Sequence, residues 1–393
     1  VRRGLVVATV ALALTLLAGA GLLVRSFGQL LGVSPGFAPD HLLTFAINLP
    51  NSRYGNDTLR VAGVERLVAA VSGVPGVLAA GGTSNIPFAG NWSTSSFSIE
   101  GYQVPDNTPG PWGDVRVVTT GYLEAIQAPL RTGRFITAED RAGGRRVAVV
   151  DESLAEKYWA GQDPIGKRLT FDNPQTDSGA TWVEVIGVVG HTMHEGLDGG
   201  RRVQVYQPFA QVALPFVGMV ARTTGDPLAL SAAVRAAVRK VDADLPVSNV
   251  ATMDQLISNT TGPRRFAMLL LGIFSGFAVL LASIGLYGVM SYLVAQRAKE
   301  LGVRLALGAK RRDILRLVLG QGMRLALLGV GIGLVAALAL SRIIRSMLFD
   351  VSATDPLTFV LIPLLLLGVT LLASWIPARR AMQVDPAVVL RGE

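Results

Sequence analysis

The stretch FAMLLLGIFSGFAVLLASIGLYGVMSYLV, residues 266–294, decides the fold. It contains no Asp, Glu, Lys or Arg, and about 20 apolar residues are enough for a helix to cross a bilayer. This run exceeds that length, so its helix tilts or extends past the hydrocarbon. Three other runs pass the same test. Leu5–Val24 is uninterrupted by charge. Met323–Ile344 has Arg324 and Arg342 at its ends, where long stems let the guanidinium reach the interface. Leu357–Ile376 contains Pro363, a kink point. Composition agrees. Of 393 residues half are hydrophobic and 16% charged, against roughly 25% charged in a soluble chain. Mean hydropathy is +0.44. The expected class is an α-helical membrane protein with four transmembrane helices and a large α+β domain outside the membrane.

Arg2, Arg3 and Ala18-Gly19-Ala20 imitate a cleaved signal peptide, but the apolar run continues past that site, so an anchor is expected. Basic residues give the orientation. Arg297, Lys299, Arg304, Lys310, Arg311, Arg312, Arg316 and Arg324 lie between the second and third spans. Arg2 and Arg3 precede the first span, and Arg379, Arg380 and Arg391 follow the fourth. Fewer basic residues flank the spans on the opposite side: Arg25, Arg264, Arg265, Arg342 and Arg345. Both termini are therefore expected in the cytoplasm and residues 25–262 outside it. The net charge of +8 then belongs to a membrane-facing surface, with lipid as the partner and nucleic acid not expected. There is no Cys, which excludes disulfides and thiolate sites.

The outer segment mixes the two periodicities. HLLTFAINLP (41–50), residues 77–80, 95–100, VRVVTT (115–120), RRVAVV (145–150), KRLTF (167–171), TWVEVIGVVG (181–190) and VGMVAR (217–222) read as strands. Residues 57–71 and 227–241 read as helices, and 252–258 as a short one. Strand–helix–strand units stand near both ends of a strand-rich middle. That order implies one unit split in sequence by an insertion.

Candidate chemistry in this segment is weak. GQDPIGKR, 161–168, is one residue away from a phosphate-binding loop. Arg168 replaces the Mg²⁺-binding Ser or Thr, and the order is helix, turn, strand, the reverse of what such a loop needs. His191-Thr192-Met193-His194-Glu195 has its histidines at i and i+3 in a loop, not at i and i+4 on a zinc-binding helix, so solvated histidines are expected. The adjacent pairs Glu139-Asp140 and Asp151-Glu152 read as helix-start partners.

The most informative segment is QRAKELGVRLALGAKRRDILRLVLGQG, 296–322. Glu300, Leu301, Arg304, Leu305 and Gly308 fall on i, i+3 and i, i+4 relations of a short surface helix. Gly308 permits its end, and Lys310-Arg311-Arg312 restart the chain beside lipid headgroups. Such a helix is suited to a groove on a soluble partner, or equally to anchoring two spans. ELGVRLALGAKRRDI, 300–314, resembles the cytoplasmic signature of the MacB/FtsX-type permeases of ABC transporters, at Glu300, Leu301, Gly302, Val303, Arg304, Ala306, Leu307, Gly308 and Ala309. IPARRAMQVDPAVVLRGE, 376–393, resembles the family's ending, and GRFITAED, VAVVDESLAEKYW, DPIGKR and EVIGVVG resemble its periplasmic core. The layout of one span, a large outer domain and three spans matches the C-terminal half of the long duplicated permeases, which the Val start also suits.

The resemblance implies 1–24 as the first span, 25–262 as a MacB-like periplasmic core with a strand-rich subdomain inserted into a porter-like one, and 263–393 as an FtsX-like permease domain in a bacterial inner membrane. A coupling helix is implied near 296–312, with Glu300, Leu301, Gly302, Arg304, Leu305, Gly308, Ala309 and Lys310 receiving the ATPase. It implies no cofactor on this chain, with ATP and Mg²⁺ on a separate cytoplasmic ATPase, a second permease unit, and room for a periplasmic adaptor. The implied function is non-catalytic transmission of ATPase motion to export or release a substrate. An alternative is a relay regulating an outer enzyme. Gly272-x-x-x-Gly276 and Gly329-x-x-x-Gly333 are the candidate helix-packing sites. A secondary transporter would need ionisable groups at mid-membrane, and none is present mid-span.

Overall fold

The computed structural model describes residues 2–90, 93–174, 179–297, 300, 303–304 and 310–381. Its helices are α1 (Arg2–Leu31), α2 (Asp57–Ser72), α3 (Tyr122–Ala125), α4 (Glu152–Tyr158), α5 (Ser231–Val241), α6 (Met253–Gln296), α7 (Arg311–Ile343) and α8 (Pro356–Ala381). Its strands are β1 (Leu42–Asn48), β2 (Val77–Thr83), β3 (Thr94–Ser96), β4 (Ser98–Ile99), β5 (Trp112–Val118), β6 (Leu130–Gly133), β7 (Val147–Asp151), β8 (Arg168–Thr170), β9 (Val183–Val189), β10 (Gln204–Pro208), β11 (Phe216–Thr223) and β12 (Val247–Thr252). The chain forms two compact units, 1–32 with 262–393, and 33–261.

The first unit holds the four helices long and apolar enough to cross a membrane. α1 is the enclosed one: half of its most apolar window is buried, against 17% for α6 and α8. Val6, Ala13 and Leu14 are fully buried, packed with Ala282 and Leu286 of α6, Val330 of α7 and Leu366 of α8. Lipid tails are as apolar as Leu, so close backbone approach and van der Waals contact hold such helices together. α1 and α7 meet in that way. A methyl group on Gly329 would stand 2.8 Å from Val10 Cβ, and one on Gly333 2.9 Å from the Ala11 carbonyl oxygen. Thr15 Oγ1 donates to the Ala11 carbonyl, satisfying its hydroxyl beside that seam. Gly272 and Gly276 have the same spacing, yet a methyl group on either would meet nothing within 4 Å outside its own helix backbone. Near one end, Arg25 pairs with Asp355, and Asp355 caps α8 by accepting from the Thr358 amide at 2.9 Å.

The glycine pairs therefore predict different outcomes. Gly329→Leu and Gly333→Leu should each destabilise the bundle by about 1–3 kcal/mol through overpacking. Gly272→Leu and Gly276→Leu should leave monomer stability within about 0.5 kcal/mol. Thermal unfolding in detergent measures this, and equal losses at all four sites would contradict it.

The second unit is a 12-stranded sheet. β1–α2–β2 and β11–α5–β12 are its two strand–helix–strand units, in the order β12-β1-β11-β2 with every pair antiparallel. This is the ferredoxin-like order: each unit leaves a gap one strand wide that the other fills. The helices bury one stripe each, Val64, Leu67 and Val71 on α2 and Val234 and Val238 on α5, against Phe45, Ile47 and Met219. Asn56 caps α2, accepting from the Leu59 amide at 2.9 Å. Between β2 and β11 lies the insertion, continuing the sheet as β5-β10-β7-β9-β8-β4. It joins β2 through the register pair Thr83↔Val118. Its own core contains Val150, Leu154, Trp159, Val185 and Val205.

Two sequence expectations need correction. Residues 252–258 do not form a separate short helix: Met253 begins α6, which continues to Gln296 with Pro263 inside it. Just before Pro263 the hydroxyls of Thr260 and Thr261 return to carbonyls of the preceding turn. β10, read as no element, is a fully buried strand between β5 and β7.

Candidate functional site

Two places in the chain concentrate polar groups. The first is the basic link after α6. Glu300, Val303 and Arg304 have helical backbone. Arg304 Nη2 lies 2.7 Å from Glu300 Oε1 at i, i+4, and Arg297 Nε lies 4.0 Å from Glu300 Oε2. All three side chains are more than two-fifths exposed. An exposed pair of this kind stabilises its helix by only about 0.3–0.5 kcal/mol, so both charges exchange partners at little cost. Lys310 precedes α7, and its amide donates to Asp313 Oδ2 at 3.2 Å, which fixes the start of that helix. Leu301, Gly302, Leu305, Gly308 and Ala309 lie outside the described residues.

The second is a polar core in the insertion. Here the histidines expected to be solvated are buried, His191 at 8% exposure and His194 at 7%. Asp151, fully buried, holds three elements: Oδ1 accepts from the Leu154 amide of α4 (3.0 Å) and the Gln204 amide of β10 (2.9 Å), and Oδ2 meets His191 Nδ1 at 2.7 Å. Thr192 Oγ1 lies 3.0 Å from His194 Nε2 and 2.7 Å from the Tyr206 hydroxyl, and Tyr206 donates to Gln204 Oε1. Arg116 on β5 is fully buried. Its Nε donates to His194 Nδ1 at 3.4 Å, its Nη1 to the Ser93 carbonyl at 2.8 Å, and its Nη2 lies 3.2 Å from Asp114 Oδ2. A guanidinium can only donate, so His194 accepts at Nδ1 and carries its proton on Nε2. Burial holds the His194 imidazolium form well below the ordinary range, and Arg116, His191 and Arg202 add to that. Among the described residues no cluster of three or more His, Asp or Glu could hold a metal. Among the described residues no hydroxyl is hydrogen-bonded to the Asp151 carboxylate or the His191 ring, whose bonds run to each other and to backbone amides. The network ties β5, β7, β10 and the 191–194 loop together.

The unfolded chain takes up a proton on His194 near the ordinary imidazole value of about 6.5, and the folded chain only well below it. Stability from the neutral ring is complete above that value and is lost as pH falls below it, by at most about 1.4 kcal/mol per pH unit. The Tm of the second unit should fall between pH 7 and 5, above the range where ordinary carboxylates protonate. His194→Gln, which keeps a donor and an acceptor, should flatten that slope.

Residues 4–245 match the MacB-like periplasmic core domain, and residues 272–386 match the FtsX-like permease C-terminal domain. The chain belongs to the MacB-like ABC transporter permease family. Two similar curated proteins are the macrolide export ATP-binding/permease protein MacB of Azoarcus sp., 26% identical over 90% of this chain and 51% of that protein, and the pyoverdine export ATP-binding/permease protein PvdT of Pseudomonas putida, 26% identical over 70% and 42%. The chain thus spans about half the length of the curated relatives it matches. A similar solved structure is the periplasmic region of MacB from Actinobacillus actinomycetemcomitans, with 16% identity, 57% of this chain and 95% of that one covered, and a TM-score of 0.37.

In this MacB-family permease the link with Glu300 and Arg304 falls within the residues matched to the FtsX-like permease domain, and the polar core lies in the domain matched to the periplasmic core. Sequence reasoning missed Arg116, Asp114, Gln204 and Tyr206. The one available signal was polar residues alternating within strands, as in Trp112–Val118 and Gln204–Pro208.

Proposed function

We propose that this chain is the membrane-spanning subunit through which a cytoplasmic ABC ATPase, carried on a separate polypeptide, moves an extracytoplasmic domain to export or release a substrate. The observation that carries this reading is the Glu300–Arg304 pair in a link dense with Lys and Arg. Basic links favour the cytoplasmic side, and an exposed pair on a short helix suits a groove on a soluble partner. The printed functions of the relatives, macrolide and pyoverdine export through ATP-binding/permease proteins, support an efflux role. α6, unbroken over 44 residues, supports a stiff path for the motion. A second permease unit completes the assembly, with Gly272 and Gly276, open in this chain, as its close-packing positions.

The test is affinity purification of the tagged chain from native membranes, followed by ATP hydrolysis assays in nanodiscs. Recovery of an ABC ATPase whose turnover rises in the presence of the chain supports the reading. Recovery of an outer-side hydrolase with no ATPase would overturn it in favour of a regulatory relay.

A further inference from the structure

The outer unit holds a cleft that the coupling reading does not use. It has a volume of about 480 Å³ and opens where α2 of the ferredoxin-like half faces the segment 136–141 and the end of β10 in the insertion. Its walls include Val61, Val68 and Ala69 on one side and Ile136, Pro208 and Phe209 on the other. Ile136 and Phe209 are buried, as is Val64 beneath the floor, so the concavity is set into the core and is not a dent between mobile side chains.

Its walls are fixed by bonds on both sides. The Phe209 amide donates to the Val118 carbonyl at 2.7 Å, and the Ala142 amide to the Ala210 carbonyl at 3.1 Å. Arg134 grips Asp140 with two hydrogen bonds of 2.7 and 2.8 Å, and the Thr137 amide donates to the same carboxylate at 2.8 Å. Glu65 on α2 meets Arg141 of the opposite wall at 3.3 Å. The charged side chains lining the cleft, Glu65, Asp140 and Arg141, therefore each have an opposite charge in contact. Nothing in the lining calls for a ligand charge, and the remaining surface is mainly aliphatic with one aromatic ring.

We infer that this cleft is a binding site for an uncharged, compact, mainly apolar small molecule, held between the ferredoxin-like half and the insertion. The volume falls in the range of about 300–1,000 Å³ usual for small-molecule sites, which are mostly apolar and favour junctions between substructures. A preformed wall lowers the ordering cost of binding. An occupant touching both halves would tie them together. The inference rests on the cleft alone and does not depend on the coupling function.

The test uses the full chain in nanodiscs and the uncharged photoreactive probe 3-phenyl-3-trifluoromethyl-diazirine, with insertion mapped by peptide mass spectrometry. Labelling of the apolar helices from the lipid is expected and rises without saturation. Labelling of peptides containing 61–69 and 136–141 should saturate, and Ala69→Trp, which fills the cleft from an exposed position, should reduce it about tenfold. Ala138→Trp fills the cleft from the opposite wall and serves if the first variant loses its thermal transition. Val68→Asp, which adds an unpaired charge without added bulk, should also weaken labelling. Insertion confined to the four apolar helices, or outer labelling that neither saturates nor responds to the Trp variants, would overturn the inference.

Discussion

Glu300→Lys is expected to abolish stimulation of the partner ATPase while leaving both units of the permease folded. The reason lies in the magnitudes. Among the described residues, Glu300 pairs with the exposed Arg297 and Arg304, and such pairs stabilise a helix by about 0.3–0.5 kcal/mol. Truncating one partner of a buried charge pair across an interface costs about 2–5 kcal/mol. The latter weakens association by about 30-fold or more, so a docking role and a merely helical role predict different sizes of effect. Arg304→Glu should behave in the same way. The combined exchange Glu300→Arg with Arg304→Glu separates the two roles further. It restores an i, i+4 pair of opposite charges, so a helical role predicts rescue. The docking account predicts continued loss of stimulation, measured as ATP turnover in reconstituted membranes with unchanged melting of the permease. Near-normal turnover in the single variants would contradict it.

Arg116→Met should be the most destabilising single change in the second unit, 33–261. It removes the cation 3.2 Å from buried Asp114, leaving Arg202 Nε at 3.6 Å as the other contact of that carboxylate. It also removes the donor to His194 Nδ1. Removing one partner of a buried pair costs about 3–5 kcal/mol, because the remaining charge is stranded in a poorly polarisable site. Replacing both with groups of similar shape is often nearly neutral. Adding Asp114→Leu to Arg116→Met should therefore recover much of the loss. Denaturant unfolding followed by limited proteolysis of the outer unit measures this. A double variant as unstable as the sum of two damaging singles would show that the pair is not the source.

These two predictions rest on unequal amounts of sequence information. The apolar helices were legible because span length and charge depletion are local, one-dimensional signals. The ferredoxin-like half was legible as strand–helix–strand units at both ends, since β1 and β11 carry dense β-branched and aromatic side chains. β10 was not. Its sequence, Gln204-Val205-Tyr206-Gln207-Pro208, places two amides and a phenol where a buried strand would carry aliphatics. The Gln204 side-chain amide and the Tyr206 phenol are buried because Thr192 arrives from another element to meet both, and Asp151 accepts from the Gln204 backbone amide. Burial of His191 and His194 was illegible for the same reason: a loop histidine becomes a core residue only when a distant Asp151 or Arg116 meets it. The two glycine pairs make the point most sharply. Their spacing is identical, yet Gly329 and Gly333 lie against α1 while Gly272 and Gly276 are open. Spacing identifies a face that allows close approach, and the partner is decided by tertiary packing.

The central claim is that the link bearing Glu300 and Arg304 faces the cytoplasm, where an ATPase can reach it. The chain has no native cysteine, so a single Val303→Cys, at an exposed position in the link, reports its side directly. A membrane-impermeant maleimide should fail to label it in intact cells with a permeabilised outer envelope and should label it fully in inverted membrane vesicles, with Leu78→Cys in the outer unit showing the opposite pattern. Labelling of Val303→Cys from outside intact cells would contradict the account.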